Sequence, residues 1–433
     1  MTMTSRPKRV LLLLSPLTYR AGAFLEAAQR LGLEVARGVD MPRSLAEYWH
    51  ATSDPLGLDF SRPEEAAGQI VDEAGRAPFD AIISVDDSAS LLAATASARL
   101  GLPHNSPEAA LAARDKGRMR ELLRAGGAPV PRFERFGLAE DPAELARRVE
   151  YPCVVKPLLL SGSRGVIRAD DPGEFVAAFN RLRALLVKEG SAPEATEVLV
   201  EEFIPGFEVA LEGLLTDGEL RVLALFDKPD PLDGPFFEET IYVTPSRLPD
   251  ETQRAIAGAA QRAARALGLR TGPVHAELRV NERGPWIVEV AGRSIGGLCS
   301  TILEFGAGMS LEELILRHAV GLPLDGASFD RVGAAAGVMM IPIPGAGILT
   351  GVEGVEEARR VPGVTGVEIS ARVGQPITPL PEGASYLGFI FARADDPATA
   401  EAALREAHAR LRFGIKPEIP VLQPGLAALP TLR

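Results

Sequence analysis

The chain has 433 residues, 46% hydrophobic and 24% charged, with a formal net charge of −12. That length exceeds one core of about 250–300 residues, so two to four structural units are expected. The acidic balance argues against a nucleic-acid or anionic-membrane partner, so any anion site must be a local basic pocket. No apolar run reaches the ~20 residues of a membrane span.

Arg6, Lys8 and Arg9 precede the apolar run Val10–Leu14 and superficially resemble a signal peptide, but the run is short and Pro16, Tyr19 and Arg20 interrupt it. It reads instead as a buried parallel strand, followed by a helix through Ala23–Leu31. Ala81–Val85 reads as another strand and Ser88–Leu100 as a helix, which together predict an α/β N-terminal unit. No G-x-G-x-x-G follows the first strand, which disfavours a nicotinamide oxidoreductase. Ser106-Pro107 marks a helix start, and Gly126-Gly127 ends the helical stretch carrying Asp115–Leu123. After the breaker Pro129-Val130-Pro131, strands at Tyr151–Lys156 and Glu197–Phe203 bracket a Gly/Ser loop and a helix around Phe175–Leu186. Val222–Phe226 reads as a strand and Leu311–Val320 as a helix. From about Ala334, short strands, Gly/Pro turns and a late helix (Pro397–Leu411) predict a small α+β unit. The Pro-rich final segment is expected along the surface. Cys153 and Cys299 are far apart in apolar settings and read as small core residues in a reducing cytosol.

Two alternating runs, His275–Val280 and Trp286–Ala291, flank a turn ending in Gly284. A three-residue loop, Glu282-Arg283-Gly284, with a left-handed glycine is a common hairpin connection. That register sets Glu277 opposite Glu289, with Cβ atoms roughly 5 Å apart. Strict alternation puts Ala276, Leu278, Val280, Trp286, Val288 and Val290 on an inward apolar face. His275, Glu277, Arg279, Glu289 and, just beyond, Arg293 share the other. Opposed like charges need a cation, and oxygen ligands suit Mg²⁺. A solvated hairpin slightly out of register is the bland alternative.

Ser161-Gly162-Ser163-Arg164-Gly165-Val166 follows the strand bearing Lys156. Small residues let backbone N–H groups approach phosphate oxygens, and a lysine adds a point charge. It is not a P-loop, and such a loop alone is most often a turn. Lys116 and Lys228 would by default be solvated. In Glu201-Glu202-Phe203-Ile204-Pro205-Gly206-Phe207-Glu208, a strand runs into a Pro-Gly turn whose backbone groups can meet an adenine edge. A following carboxylate can accept from ribose hydroxyls. A strand end with solvated glutamates is the plain alternative.

Taken in order, lysine on a helix, lysine before a Gly/Ser loop, the Glu-Glu-Phe-Ile-Pro-Gly-x-Glu hinge and the acidic hairpin, the segment Asp115–Arg293 resembles the ATP-grasp superfamily. The resemblance implies an α/β and α+β multidomain fold: a pre-ATP-grasp domain over 1–113, an ATP-grasp domain over 114–325 and a small C-terminal domain over 326–433. It implies that Lys116 and Lys156 clasp ATP phosphates under Ser161, Gly162, Ser163 and Gly165. Glu201, Glu202 and the Ile204 backbone would contact adenine, with Glu208 on the ribose. Glu277 and Glu289 would hold magnesium, with one or two ions and Mn²⁺ able to substitute. Many members read Glu-x-Asn-x-Arg, with the asparagine as a further ligand; Ala291 departs from this and puts the second ion in doubt. His-x-Glu followed by Glu-x-Ala-x-Arg, with Gly388-Phe389-Ile390-Phe391-Ala392-Arg393, is similar to the L-amino-acid ligases.

The implied activity is an ATP-dependent carboxylate–amine ligase that joins amino acids through an acyl phosphate, releasing ADP and phosphate. Arg293, Lys228 and His275 are its expected catalytic residues. Glu239 (or Glu238), Arg293, Gly296 and Gly297 are expected at the substrates. The alternatives are another ATP-grasp chemistry, biotin-carboxylase-like or purine-pathway, and a nucleotide-binding regulator without turnover. The expected setting is a cytoplasmic homodimer acting on small molecules, without nucleic acid or membrane.

Overall fold

The computed structural model describes residues 6–16, 18–42, 55–383 and 385–417. The Pro-rich final segment lies outside them. β1 (Arg9–Leu14), α1 (Ala21–Arg30), β2 (Glu34–Asp40), β3 (Leu56–Leu58), α2 (Pro63–Arg76), β4 (Ala81–Ser84) and α3 (Ser90–Leu100) form the first unit. Its sheet is parallel, in the order β3-β2-β1-β4. The unbroken apolar run of β1 follows from its central place, since both faces are covered. Val10, Leu12 and Leu14 meet Phe24 and Ala27 of α1, while Leu11 and Leu13 meet Ile70 and Leu92 of α2 and α3. The signal-like stretch is therefore a core strand. Among the described residues no helix is long and apolar enough to cross a membrane.

α4 (Pro107–Arg114) and α5 (Lys116–Ala125) follow. Asp115, expected inside a helical stretch, instead separates them and caps α5, accepting from the Arg118 N–H at 3.0 Å. Lys116 consequently begins a helix. β5 (Phe133–Gly137), β6 (Cys153–Pro157), β7 (Ile167–Ala169), α6 (Pro172–Lys188) and β8 (Glu197–Glu202) make an antiparallel sheet, β5-β8-β6-β7. Phe175, Phe179 and Leu182 of α6 cover one face of it.

β9 (Phe207–Thr216), β10 (Glu219–Asp227), β11 (Ile241–Thr244), α7 (Asp250–Leu267), β12 (Gly272–Asn281), β13 (Gly284–Ala291) and α8 (Leu311–Ala319) come next. Ile256, Ala259, Ala260, Ala263, Ala264 and Leu267 recur at helical spacing along α7 and bury against Ala276, Leu278 and Val290. The last elements are β14 (Ala335–Ile341), β15 (Gly347–Glu353), β16 (Val364–Ile369), β17 (Pro376–Ile377), β18 (Gly388–Ala394), α9 (Pro397–Arg410) and β19 (Arg412–Lys416). β11 pairs with β14, so one antiparallel sheet, β13-β12-β9-β10-β11-β14-β18-β16, runs straight through the 325/326 boundary.

Glu277 does pair with Glu289, but the route to that register differs from strict alternation. Asn281 pairs with Gly284, leaving a two-residue turn, and a bulge at Val288 absorbs the extra residue. The bulge reverses parity beyond it, so Ile287 enters the core in place of Trp286 and Val288. Val288 lines a cavity, and the Trp286 indole donates to Asn281 at 3.2 Å. Ile287→Ala should cost about 2–5 kcal/mol in urea unfolding, and Val288→Ala less than about 1 kcal/mol. The reverse order would restore the unbulged register.

Candidate functional site

A cavity of about 510 Å³ lies where the units meet, walled by the end of β4, the β6–β7 loop, the β8–β9 hinge, the β12–β13 hairpin and the segment before β18. Its middle is charged. The Lys228 ammonium, 3% exposed, sits 2.9 Å from Glu208, 2.5 Å from Glu239 and 3.2 Å from Glu277. It therefore lies behind these carboxylates instead of projecting into the cavity, and their field holds its pKa well above the ordinary lysine value against the cost of burial.

His275 and Glu212 are cross-strand partners on β12 and β9. His275 Nδ1 lies 3.2 Å from Glu212 Oε2, and its Nε2 lies 3.5 Å from Glu277 Oε1. Burial alone would lower this imidazole, but the two carboxylates raise it to about 9. Burial likewise works against ionised Glu277, yet Lys228 and His275 hold it well below the carboxylate range. Burial and the Glu277 charge together lift Glu239 to about 7 in spite of Lys228.

Glu289, across the hairpin, accepts from Lys116 Nζ at 3.2 Å, and Lys116 also donates to the Leu160 carbonyl at 2.8 Å. Each member of the carboxylate pair thus has its own lysine. Glu208, Glu239 and Glu277 offer oxygens within 4.8 Å of one another. Arg279 Nε lies 3.4 Å from Glu208, so Lys228, Arg279 and His275 together nearly balance the three carboxylates, and Glu277 and Glu289 both line the cavity. This hard-oxygen donor set fits a magnesium-like ion.

Glu201 behaves differently from the expectation that set it at an adenine edge. Its buried carboxylate pairs with Lys156 and accepts from Arg120 Nε at 2.5 Å, while Arg120 Nη2 reaches the Val288 carbonyl at 2.6 Å. Although burial opposes it, these two cations keep Glu201 below the ordinary carboxylate value. Glu202 turns outward to Arg132 at 3.2 Å, and the Ile204 carbonyl accepts from Arg279 at 2.8 Å. The hinge needs Gly206 at φ +128°, because a Cβ there would lie 2.3 Å from the Val280 carbonyl oxygen.

Ser161, Gly162 and Ser163 line the cavity; Gly165 does not. Gly165 donates its N–H to the Pro381 carbonyl at 2.8 Å, and a Cβ on it would lie 2.9 Å from Leu182. Its role is backbone fit. Arg293 reaches Asp87 at 2.7 Å and the Ser294 carbonyl at 3.0 Å, and Asp87 holds its guanidinium charged against burial. Gly296, Gly297 and Glu239 lie on the wall, whereas Glu238 does not. Sequence reasoning missed Asp87, Arg120 and Glu212. Asp87 had a signal: it follows the carboxyl end of a parallel strand, where open α/β sheets present ligand groups.

Three family models match in chain order: an ATP-grasp N-terminal domain over residues 25–104, an ATP-grasp domain over 149–302 and L-amino acid ligase C-terminal domain 2 over 339–416. A D-alanine–D-alanine ligase of Acidovorax ebreus is 30% identical over 251 residues, covering 55% of this chain and 72% of that protein. The chain belongs to the ATP-grasp family. An alanine–anticapsin ligase of Bacillus subtilis is 29% identical over 307 residues, 66% of this chain. The match spans 64% of that relative's length. The crystal structure of an L-amino acid ligase from Bacillus licheniformis superposes with a TM-score of 0.78 at 28% identity, covering 95% of this chain and 100% of that one.

In this ATP-grasp chain the Gly/Ser loop is tethered to the C-terminal unit. Besides the Gly165–Pro381 bond, Arg164 Nε donates to the Glu382 carbonyl at 2.8 Å. Arg181 of α6 grips the Glu382 carboxylate with two bonds, at 2.6 and 2.9 Å. The fork is partly solvated, at 46% and 37% exposure, so it is worth at most ~1 kcal/mol. Glu382→Ala should therefore speed tryptic cleavage after Arg164 by roughly 2–5-fold with little change in global unfolding. An unchanged cleavage rate would show that the fork does not restrain the loop.

Proposed function

We propose that the protein is an ATP-dependent carboxylate–amine ligase that joins two amino acids and releases ADP and phosphate. One observation carries this reading: opposed Glu277 and Glu289, each beside its own lysine, share a cavity with Arg293 and Lys156. The names of the similar ligases lend it support. We carry the three-part division at 113/114 and 325/326 as a working description of the domains.

A carboxylate does not acylate an amine at neutral pH because oxide is a poor leaving group. Attack of a substrate carboxylate oxygen on the γ-phosphorus breaks the bond to the β-phosphate oxygen and releases ADP. The amine nitrogen then forms the C–N bond, the phosphate leaves with the C–O electron pair, and the amine loses a proton. Positioning and charge neutralisation account for most of the catalysis. We assign Lys116 and Lys156 to the phosphates, with Ser161, Gly162 and Ser163 over them. The hinge residues Glu202 and Ile204 flank the base, and Glu208 faces the ribose. Glu277 and Glu289 would hold Mg²⁺ (Mn²⁺ being able to replace it), which supplies charge neutralisation for phosphoryl transfer.

Arg293 would hold the reacting carboxylate and later the tetrahedral oxyanion, a task suited to a bidentate guanidinium. Lys228 and His275 act by keeping Glu277 ionised and oriented. Glu239, on the wall, is the carboxylate we assign to a substrate ammonium. Closure of the Gly/Ser loop would exclude water from the acyl phosphate. We place the reaction in the cytoplasm, as expected of a chain whose Cys153 and Cys299 are both buried and free. A homodimer is the assembly expected from the family.

Glu277→Gln and Glu289→Gln should each lower ATP-dependent phosphate release by about 10²–10³-fold at saturating Mg²⁺; parent-like rates would remove the metal assignment. Arg293→Lys should reduce kcat by roughly 10–100-fold while ATP affinity by calorimetry changes less than about 3-fold, because the fork is lost and the charge kept. If affinity alone fell, Arg293 would be a nucleotide contact.

A further inference from the structure

A second cavity, of about 130 Å³, lies behind the Arg293 end of the first, between β4, α3, α4, the start of β12 and α8. Asp87 and the segment Ala291–Arg293 form the partition. Asp87 borders both spaces, Ala291 and Arg293 border the larger one, and Gly292 borders the smaller. A cavity of about 150 Å³ holds a benzene ring, so this one has room for about six non-hydrogen atoms.

Most of its polar groups are already bonded. The Ser84 and Ser90 hydroxyls donate to the Asp86 and Asp87 carbonyls, and Asn105 accepts from the Arg270 and Thr271 N–H groups. His318 Nε2 meets the Thr216 hydroxyl at 3.0 Å, and burial lowers the pKa of that imidazole, which keeps it neutral. Two groups are left over. Arg114 reaches only the Ser88 carbonyl, at 3.4 Å, and no carboxylate lies within ion-pair distance of it among the described residues. The hydroxyl of Ser97, a residue 1% exposed, has no hydrogen-bond partner among the described residues.

Asp87 supplies the opposite charge. It accepts from Arg293 at 2.7 Å on one side and borders the smaller cavity on the other, one residue before the Ser88 that Arg114 touches. The rest of the wall is mostly small and apolar, with Ala93, Ala110, Ala113, Pro273 and Ile315. A guanidinium and a carboxylate along one wall match a zwitterion, whose two charges each meet a partner. An ionised side chain would bring a third charge with no counter-ion.

We propose that this second cavity is a regulatory site for a small zwitterionic α-amino acid of the size of glycine, alanine or serine, with its carboxylate on Arg114 and its ammonium on Asp87. An ammonium there shares the Asp87 carboxylate with Arg293, loosens the hold on that guanidinium and slows the reaction beyond the partition. Binding rests on the cavity alone; the effect on turnover rests on the ligase reading.

The test titrates L-alanine into the nucleotide-free protein by calorimetry. It also adds L-alanine to a phosphate-release assay fed with ATP, Mg²⁺ and a productive pair of amino acids too large for the second cavity. L-Alanine should bind with a Kd of about 1 mM. Propionate and alaninamide, each lacking one charge, should bind at least about 10-fold more weakly. Arg114→Gln keeps a donor for the Ser88 carbonyl and should weaken alanine at least about 10-fold, whereas Arg293→Lys should change it less than about 3-fold. Saturating alanine should slow phosphate release by the parent about 5-fold or more and leave that of Arg114→Gln unslowed. Ala93→Leu, which fills the space from α3, should block binding and slowing alike and stands in should Arg114→Gln fail to fold. No binding, binding or slowing that persists in these two variants, or binding without slowing overturns the proposal and leaves the ligase reading intact. Arg114-dependent binding by a protein that releases no phosphate with any amino-acid pair overturns the ligase reading and supports the site. Neither binding nor phosphate release overturns both.

Discussion

One buried ammonium organises this site. Glu208 comes from the strand after the hinge, Glu239 from the loop before β11 and Glu277 from the hairpin, and all three converge on Lys228. Without a cation at their centre these carboxylates could not all be ionised so close together away from water. With it, and with Arg279 beside Glu208 and His275 beside Glu277, the cluster is nearly balanced, and the oxygens that face the cavity are held in place for a divalent ion. On the opposite wall the count is reversed, because a single carboxylate, Glu201, lies between two cations, Lys156 and Arg120. An anion arriving at Lys156 therefore meets a cation already oriented by a buried partner.

The sheet fixes these groups relative to one another. β9 lies between β12 and β10, so Glu212 faces His275 across one ladder, while Glu208 meets Lys228 just beyond the end of β10. The bulge at Val288 matters for the same reason. It lets Ile287 fill the core beneath the hairpin while Glu289 stays on the face of Glu277. Val288 then presents its carbonyl to Arg120, linking hairpin, α5 and β8 through a single guanidinium.

Local pattern made the main elements legible in the sequence: the apolar run of β1, the alternation of β12, the Ser106 cap and the Gly/Ser loop. The opposition of Glu277 and Glu289 was legible too, because the expected and observed hairpins share that pair. The parity beyond it was not, since a bulge adds one residue without any glycine or proline to mark it. The ion pairs of Glu201 were not legible because its partners, Arg120 and Lys156, lie far off in sequence, and only strand pairing brings them to it. Gly165 looked like part of a phosphate cradle because a small residue in a loop suits either an anion or a close backbone. The φ of +74° at Gly165 and its N–H bond to the Pro381 carbonyl decide in favour of backbone fit.

The same reasoning bears on Arg293. Its guanidinium is held by Asp87, in the turn just after β4 and 206 positions earlier in the chain. Arg20, from the same unit, holds the Ser294 hydroxyl and carbonyl next to it. The arginine and the glycine-rich turn that follows it are thus positioned by the N-terminal unit, although the hairpin carries them. A free arginine at the end of a strand would sample many rotamers. One fixed through Asp87 and Ser294 presents its remaining N–H edge in a single direction, toward the cavity. The N-terminal unit therefore contributes to the cavity by orienting a charge that another unit supplies, and a change at Asp87 acts at the Arg293 end with no direct reach to the hinge.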